Sequence, residues 1–155
     1  MHKNRNARIY SMQFLFHLQF EEFASLKTDL LDKEKRLNLL EEAFRNYHQT
    51  ISKDRIPKSS TLHFAQSLVS GTLEYYFELE TIVARYLNRG GLKHIPKIDL
   101  TILLQSLYEI LYISATPKNV VINEAIELAK IFSTKEAPSF INGILDNVVK
   151  AVNAG

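Results

Sequence analysis

Apolar residues recur at spacings of three and four along nearly the whole chain, the spacing that puts side chains on one face of a helix. From Asn6 to Phe23 that face is Ile9, Met12, Phe16 and Phe20, and Phe14, Leu15 and Leu18 widen it, which predicts a helix buried on more than one side. Over Leu30 to Ile51, Leu37, Leu40, Phe44 and Tyr47 make the inner stripe of a second helix whose outer face is mixed charge. Lys53 to Ser60 reads as a loop broken by Pro57, and Ser60 or Thr61 can cap the next helix. That third helix runs from about Leu62 to Asn88, with Phe64, Leu68, Gly71, Tyr75, Leu79, Ile82 and Tyr86 on one side. Gly71 inside it costs about 1 kcal/mol relative to Ala, which a close helix contact would explain. Gly90-Gly91 is the expected C-terminal cap, and Pro96 prevents continuation.

Asp99 is placed to cap a fourth helix, Leu100 to Ser114, which is apolar almost all round and therefore belongs at the centre of a bundle. Beyond Pro117 lies the most informative stretch, Asn119 to Val148: two amphipathic segments joined by a polar hinge. They predict helices over Val120 to Phe132 and about Glu136 to Val152. Ser133 to Glu136 fits a reciprocal capping box, and Pro138 falls in the first turn, where its missing N–H matters little. Asn123, Glu124 and Asn142 interrupt the apolar runs; if buried they need partners, and they read as scaffold fixing the last two helices, with Gly143 allowing close approach. No segment alternates with period two, and no internal repeat is visible. The expectation is an all-α, single-domain bundle of about six helices covering residues 1–155, a length that can bury a real core.

Composition narrows the class. No apolar run approaches the roughly 20 residues that span a bilayer, so no membrane role is expected. The basic start followed by apolar residues is not a signal peptide, because Gln13, His17 and Gln19 interrupt it and Glu21 and Glu22 follow. Cysteine is absent, which removes disulfides, thiolate metal sites and thiol nucleophiles, and suits a cytoplasmic protein. The histidines (His2, His17, His48, His63 and His94) are scattered, so no metal or cofactor is expected. No nucleophile elbow, phosphate loop, dinucleotide fingerprint or zinc-protease motif occurs. Glu124 and Glu127 share a helix face and could form an acid–base pair, but Glu127 is also three before Lys130, the spacing of a helical ion pair.

The net charge is only +2, and its distribution is more telling. Met1 to Phe20 carries Lys3, Arg5 and Arg8 with no acid; Arg85 to Lys97 carries Arg85, Arg89, Lys93 and Lys97, again with none; Thr28 to Ile56 is balanced. Two cationic zones point to an anionic partner, nucleic acid first, against the plainer reading of solvated surface. Arg5 and Arg8 sit on the first turn of their helix, the unfavourable end of its dipole, which suggests that they serve a ligand.

Val121 to Lys130, VINEAIELAK, followed by Phe140 to Leu145, FINGIL, resembles the C-terminal signature of the bacterial transcription antitermination NusB family. Ala7-Arg8 with Gln13 and Leu15, Phe64 to Gly71, and Ile98-Asp99 through Leu107-Tyr108-Glu109 resemble that family's upstream helices in order, so the likeness covers about Asn4 to Val148. The resemblance implies an all-helical, non-enzymatic protein that binds the single-stranded boxA element of nascent RNA, most tightly with the ribosomal protein NusE. It further implies action within the RNA polymerase antitermination complex on ribosomal RNA operons. Carried onto this sequence, the implied RNA contacts are Lys3, Arg5, Arg8, Phe16, Asp99, Glu136 and Phe140. Tyr108, Glu109 and Asn123 are implied to lie near NusE.

The sequence departs from the family pattern in three places. Asn4 and Asn6 dilute the arginine cluster, Phe16 stands where tyrosine is frequent, and Thr101 and Leu104 replace residues that are often basic. Each weakens the phosphate-directed attraction that dominates RNA affinity, so the partner is expected to matter more. The rival readings are an RNA-binding subunit serving a separate ribosomal RNA cytosine methyltransferase and a helical interaction protein without RNA binding. Some family members also form homodimers through the surface that otherwise meets RNA or partner.

Overall fold

The computed structural model describes residues 4–87 and 90–154. Those residues form eight α-helices: α1 (Arg5–His17), α2 (Ala24–Leu31), α3 (Lys33–His48), α4 (Ser59–Glu74), α5 (Tyr76–Arg85), α6 (Lys97–Tyr112), α7 (Lys118–Phe132) and α8 (Ala137–Ala154). No strand occurs among the described residues. Short 3₁₀ turns at Glu21–Phe23, Lys53–Arg55 and Gly91–His94 join some of them. The chain divides into two compact units, one ending at Glu74 and one starting at Tyr75.

The rise from about six helices to eight has two sources. α2 forms over Ala24–Leu31, mostly ahead of the expected Leu30 to Ile51 helix, which starts only after Asp32; that residue is extended (φ −82°, ψ 123°) and accepts the Lys35 N–H on its carboxylate at 3.1 Å as an N-cap. Buried Arg36 then reaches back, its Nη1 donating to the Leu30 carbonyl at 3.0 Å, and satisfies one of the acceptors that the end of α2 leaves over. The expected Leu62 to Asn88 helix is interrupted at Tyr75, and its second part, α5, ends at Arg85; Asn88 itself lies outside the described residues.

In the N-terminal unit α1 packs on α4, and α2 on α3 and α4. Tyr10, Phe14 and Leu15 of α1, with Leu18 at its C-cap, meet Phe44, Tyr47, Val69 and Leu73 in one buried cluster. Phe14 lies 4.8 Å from Phe44 and 5.2 Å from Tyr47, tilted and edge-on respectively. Aromatic pairs in such arrangements add about 0.5–1.5 kcal/mol beyond area burial. Two histidines close this cluster. His17 stacks on Tyr47 at 4.8 Å, its Nδ1 bonded to the Phe14 carbonyl, and His48 Nε2 meets the Tyr10 hydroxyl at 2.6 Å. The α1 helix ends at His17, short of the expected Phe23, and Leu37 is 79% exposed rather than part of the inner stripe.

In the C-terminal unit α6 is the hub. It packs against α5, α7 and α8, and every residue from Asp99 to Leu107 is buried. The stretch 119–148 packs on that hub as α7 and α8, so it is a companion to α6. Tyr75, Tyr108 and Tyr112 stack along the edge of α6, with Tyr75 and Tyr112 rings 4.0 Å apart and 10° from parallel. The Tyr112 hydroxyl donates to the Glu78 carboxylate at 2.8 Å.

The scaffold expectations for Asn123, Asn142 and Gly143 change, while the helical ion pair expected of Glu127 is present. Asn123 and Asn142 are exposed, so only Glu124 of the three polar residues is buried. A side-chain carbon added at Gly143 would meet nothing within 4 Å, so no close helix approach depends on it. The Glu127–Lys130 ion pair is formed, at 3.3 Å.

Candidate nucleic-acid interface

The C-terminal unit brings three of the expected RNA contacts together. Asp99, Glu136 and Phe140 line one pocket of about 370 Å³, with His94, Pro96 and Thr134 on its wall. Three local causes build it. Pro96 precedes α6 and sets its entry, so Asp99 falls inside the first turn instead of capping it. Gly90 and Gly91 adopt positive φ (98° and 60°), which turns the chain into the 3₁₀ segment carrying His94. Ser133 ends α7 in extended backbone, and α8 begins at Ala137 with Phe140 on its first turn.

Ser133 does not form the expected capping box. Its hydroxyl donates to Asp99 Oδ1 across 34 residues of sequence. Asp99 is 3% exposed. Burial pushes its carboxyl above the ordinary carboxylate value, and the Ser133 hydroxyl draws it part of the way back. Glu136 is exposed and Phe140 is 37% exposed, so the pocket offers an accessible carboxylate and an accessible aromatic ring over a buried acid. Thr101 and Leu104 are also buried, so the loss of basic residues at those two positions does not thin the surface charge.

The N-terminal unit holds Arg5, Arg8 and Phe16. Arg5 is half-buried at the start of α1. Arg8 is buried, its guanidinium 5.8 Å from the centroid of the Phe64 ring, a cation–π distance. Arg8 is therefore part of the α1–α4 packing, and contact with RNA would require it to be exposed first. Phe16 is half-buried and meets the 44%-exposed Phe20 edge-on at 5.1 Å. Lys3 and the cation Arg89 lie outside the described residues.

Of the expected NusE contacts, Asn123 is exposed, Tyr108 is half-buried in the tyrosine stack and Glu109 is fully buried. A larger cavity, about 650 Å³, lies at the C-terminal end of α6 between Ile110, Lys118 and Val152 and contains none of the expected residues. No group of His, Asp and Glu suited to a metal occurs among the described residues, and no described helix is long and apolar enough to cross a membrane.

Sequence reading missed one feature. Arg55 Nη2 donates to Gln13 Oε1 at 2.7 Å, tying the turn between α3 and α4 to α1. Together with Asn6, Ile9, Asp54 and Pro57 they enclose a cleft of about 230 Å³. The turn lies in a stretch whose charges cancel on paper, which hid it.

Two compact, all-helical units, the second with an aromatic–carboxylate pocket between the starts of α6 and α8, place the chain among the all-α helical-bundle proteins. The family model described as "NusB family" matches residues 5–150, and the chain belongs to that family. A transcription antitermination protein NusB of Thermodesulfovibrio yellowstonii is 36% identical over 96% of this chain and 92% of its own length. One of Oleidesulfovibrio alaskensis is 35% identical over 97% of this chain and 90% of its own. Among solved structures, T. maritima NusB superposes with a TM-score of 0.71 at 27% identity, covering 95% of this chain and 90% of that one. A structure of antitermination factors NusB and NusE in complex with dsRNA superposes at 0.72 with 18% identity, covering 97% and 98%, and shares the fold.

Proposed function

We propose that this chain is a transcription antitermination factor that binds boxA-type single-stranded RNA in the nascent transcript together with NusE. In that role it promotes processive transcription of ribosomal RNA operons within the RNA polymerase antitermination complex, in the cytoplasm. The observation that carries this reading is the convergence of Asp99, Glu136 and Phe140 on one pocket in a NusB-family chain. The complex of related fold with NusE and dsRNA supports NusE and RNA as partner classes.

Single-stranded RNA is read by unstacked bases that lie on aromatic rings and bond to polar groups. Phe140 is the stacking surface and Glu136 the acceptor for a base N–H. Asp99, buried and bonded to Ser133, positions the pocket from below. Arg5, with Lys3 ahead of it, supplies cationic attraction, Arg8 holds the first helix against Phe64, and Phe16 adds a second aromatic surface. Asn123 and Tyr108 face NusE, with Glu109 acting from beneath.

A gel shift with boxA RNA, with and without NusE, tests this. Retardation at low salt is expected, strongest with both proteins; no shift in either mixture would sink the proposal. Phe140→Ala removes one stacked base, worth about 1–3 kcal/mol, and should weaken binding roughly 5- to 150-fold. Light scattering on the free protein gives its oligomeric state, and repeating it with boxA RNA added shows whether RNA displaces a homodimer.

A further inference from the structure

The turn between α3 and α4 carries three exposed cations, Lys53, Arg55 and Lys58, and one exposed acid, Asp54. It is not a loose tether. The Arg55 N–H donates to the Ser52 carbonyl at 3.0 Å and the Ile56 N–H to the Lys53 carbonyl at 3.2 Å, closing a 3₁₀ turn, and Pro57 restricts the chain beyond it. Arg55 is anchored to Gln13 of α1 at 2.7 Å. A guanidinium has five N–H donors in a fixed fork, so one bond to Gln13 aims the group and leaves others for the cleft that Arg55 lines.

The α1 side of that cleft continues as a stripe. Asn6, Ile9, Gln13 and Phe16 follow one another at spacings of three and four, so they lie along one helix face. Asn6, Ile9 and Gln13 line the cleft, and Phe16 leads on to exposed Phe20. Ile9 to Phe16 spans about 10 Å of helix rise. A polar recess at one end, lined by Arg55 and Asp54 and flanked by exposed Lys53 and Lys58, and an aromatic pair at the other match the two elements with which proteins hold single-stranded nucleic acid: phosphates beside cations, bases on rings.

We propose that the α3–α4 turn is a phosphate-binding site for the RNA backbone, with Arg55 as its central contact and Lys53 and Lys58 beside it. The site extends the RNA track along α1 in the N-terminal unit and rests on the RNA-binding reading above. The turn offsets the arginines diluted by Asn4 and Asn6 with cations from a different part of the chain. Asp54 opposes it: its carboxylate lines the same cleft and repels a phosphate.

The test is fluorescence anisotropy with labelled boxA RNA across a salt series, with NusE held constant. Each phosphate contact contributes about 0.7 to the log–log salt slope of a single strand, which amounts to roughly fivefold in affinity at 0.1 M salt. Arg55→Ala should lose about that factor and flatten the slope by about 0.7, while Arg55→Lys keeps the slope. Adding Lys53→Ala and Lys58→Ala should deepen the loss. Asp54→Asn should tighten binding, a gain that no folding defect produces. Because Arg55 is exposed, far-UV circular dichroism of Arg55→Ala should match the parent. If Arg55→Ala and Asp54→Asn leave affinity and slope unchanged while Phe140→Ala weakens binding, the turn is not a site and RNA binding stands. If the parent chain binds no RNA at low salt, both readings fall together.

Discussion

Ser133→Ala isolates the bond that holds the floor of the pocket. Asp99 is 3% exposed, and Ser133 donates to it. A hydrogen bond to a charged group contributes about 1.5–3 kcal/mol, and a buried carboxylate cannot recover its lost donor from bulk water. The variant should therefore be less stable by about 1.5–3 kcal/mol, with roughly 2–4 °C lost from Tm per kcal/mol for a chain of this size. In an Asp99→Asn background the amide oxygen still accepts from Ser133, but as a neutral group. There Ser133→Ala should cost only about 0.5–1.5 kcal/mol, which leaves a coupling of about 1 kcal/mol or more between the two positions. The pH dependence has a definite sign. Burial raises the folded Asp99 pKa above its ordinary 3.8, so the protonated acid favours folding. That contribution is complete below 3.8 and fades as pH rises through the folded value. Once Asp99 is protonated the Ser133 bond is merely neutral, so the gap between parent and variant should narrow as the pH approaches 4. Urea or thermal unfolding of the four proteins of this cycle between pH 4 and 7 measures it. Equal costs of Ser133→Ala in both backgrounds, or a gap that does not change with pH, would refute an ionised Asp99 held by Ser133.

Gly90→Ala should destabilise the C-terminal unit by about 1–2 kcal/mol, because φ is +98° and the added carbon would lie 2.2 Å from the His94 ring; thermal melts in His94→Ala, which removes the clash, should recover only part of the loss. Acid should weaken the N-terminal unit through His17 and His48, whose pKa values burial lowers below 6.5. The neutral rings favour folding, so their contribution is intact above pH 6.5 and falls as pH drops below it, by at most about 1.4 kcal/mol per pH unit for each ring until the folded value is reached. Melts at pH 7.5 and 5.5 should show a smaller difference in His17→Gln than in the parent, and an unchanged difference would exclude His17.

The helical class and the central place of α6 were legible because they rest on local periodicity: a run such as Leu100 to Leu107 has no polar side to offer to water. The break at Asp32 was legible in principle, since an aspartate ahead of a polar turn is an N-cap signal. The break at Tyr75 was not. No Gly or Pro marks it, and Tyr75 makes its ring contacts with Tyr108 and Tyr112, more than thirty residues away. The same limit explains Ser133, whose local partner by pattern was Glu136 but whose hydroxyl goes to Asp99. Arg8 reads from sequence as a surface cation, and only the approach of α4 reveals Phe64 beneath it. Glu136 and Phe140 came from family resemblance; spacing alone would not have linked them to Asp99 on another helix.

The stacked tyrosines give the C-terminal unit an optical signature of its own. The chain has seven tyrosines and no tryptophan, so its near-ultraviolet absorption and emission are dominated by phenol rings. Tyr75 and Tyr112 overlap at 4.0 Å with planes 10° apart, and Tyr108 lies 5.7 Å from Tyr112, close enough for their electronic transitions to mix. Coupling of this kind is expected to give the stack its own circular dichroism band and to quench its emission, so separating the rings should brighten the protein without an attached dye. Tyr10 and Tyr47, in the other unit, cross edge-on and contribute a different spectrum. Different ring geometries in the two units should let each be followed by its own near-ultraviolet signal in one cuvette.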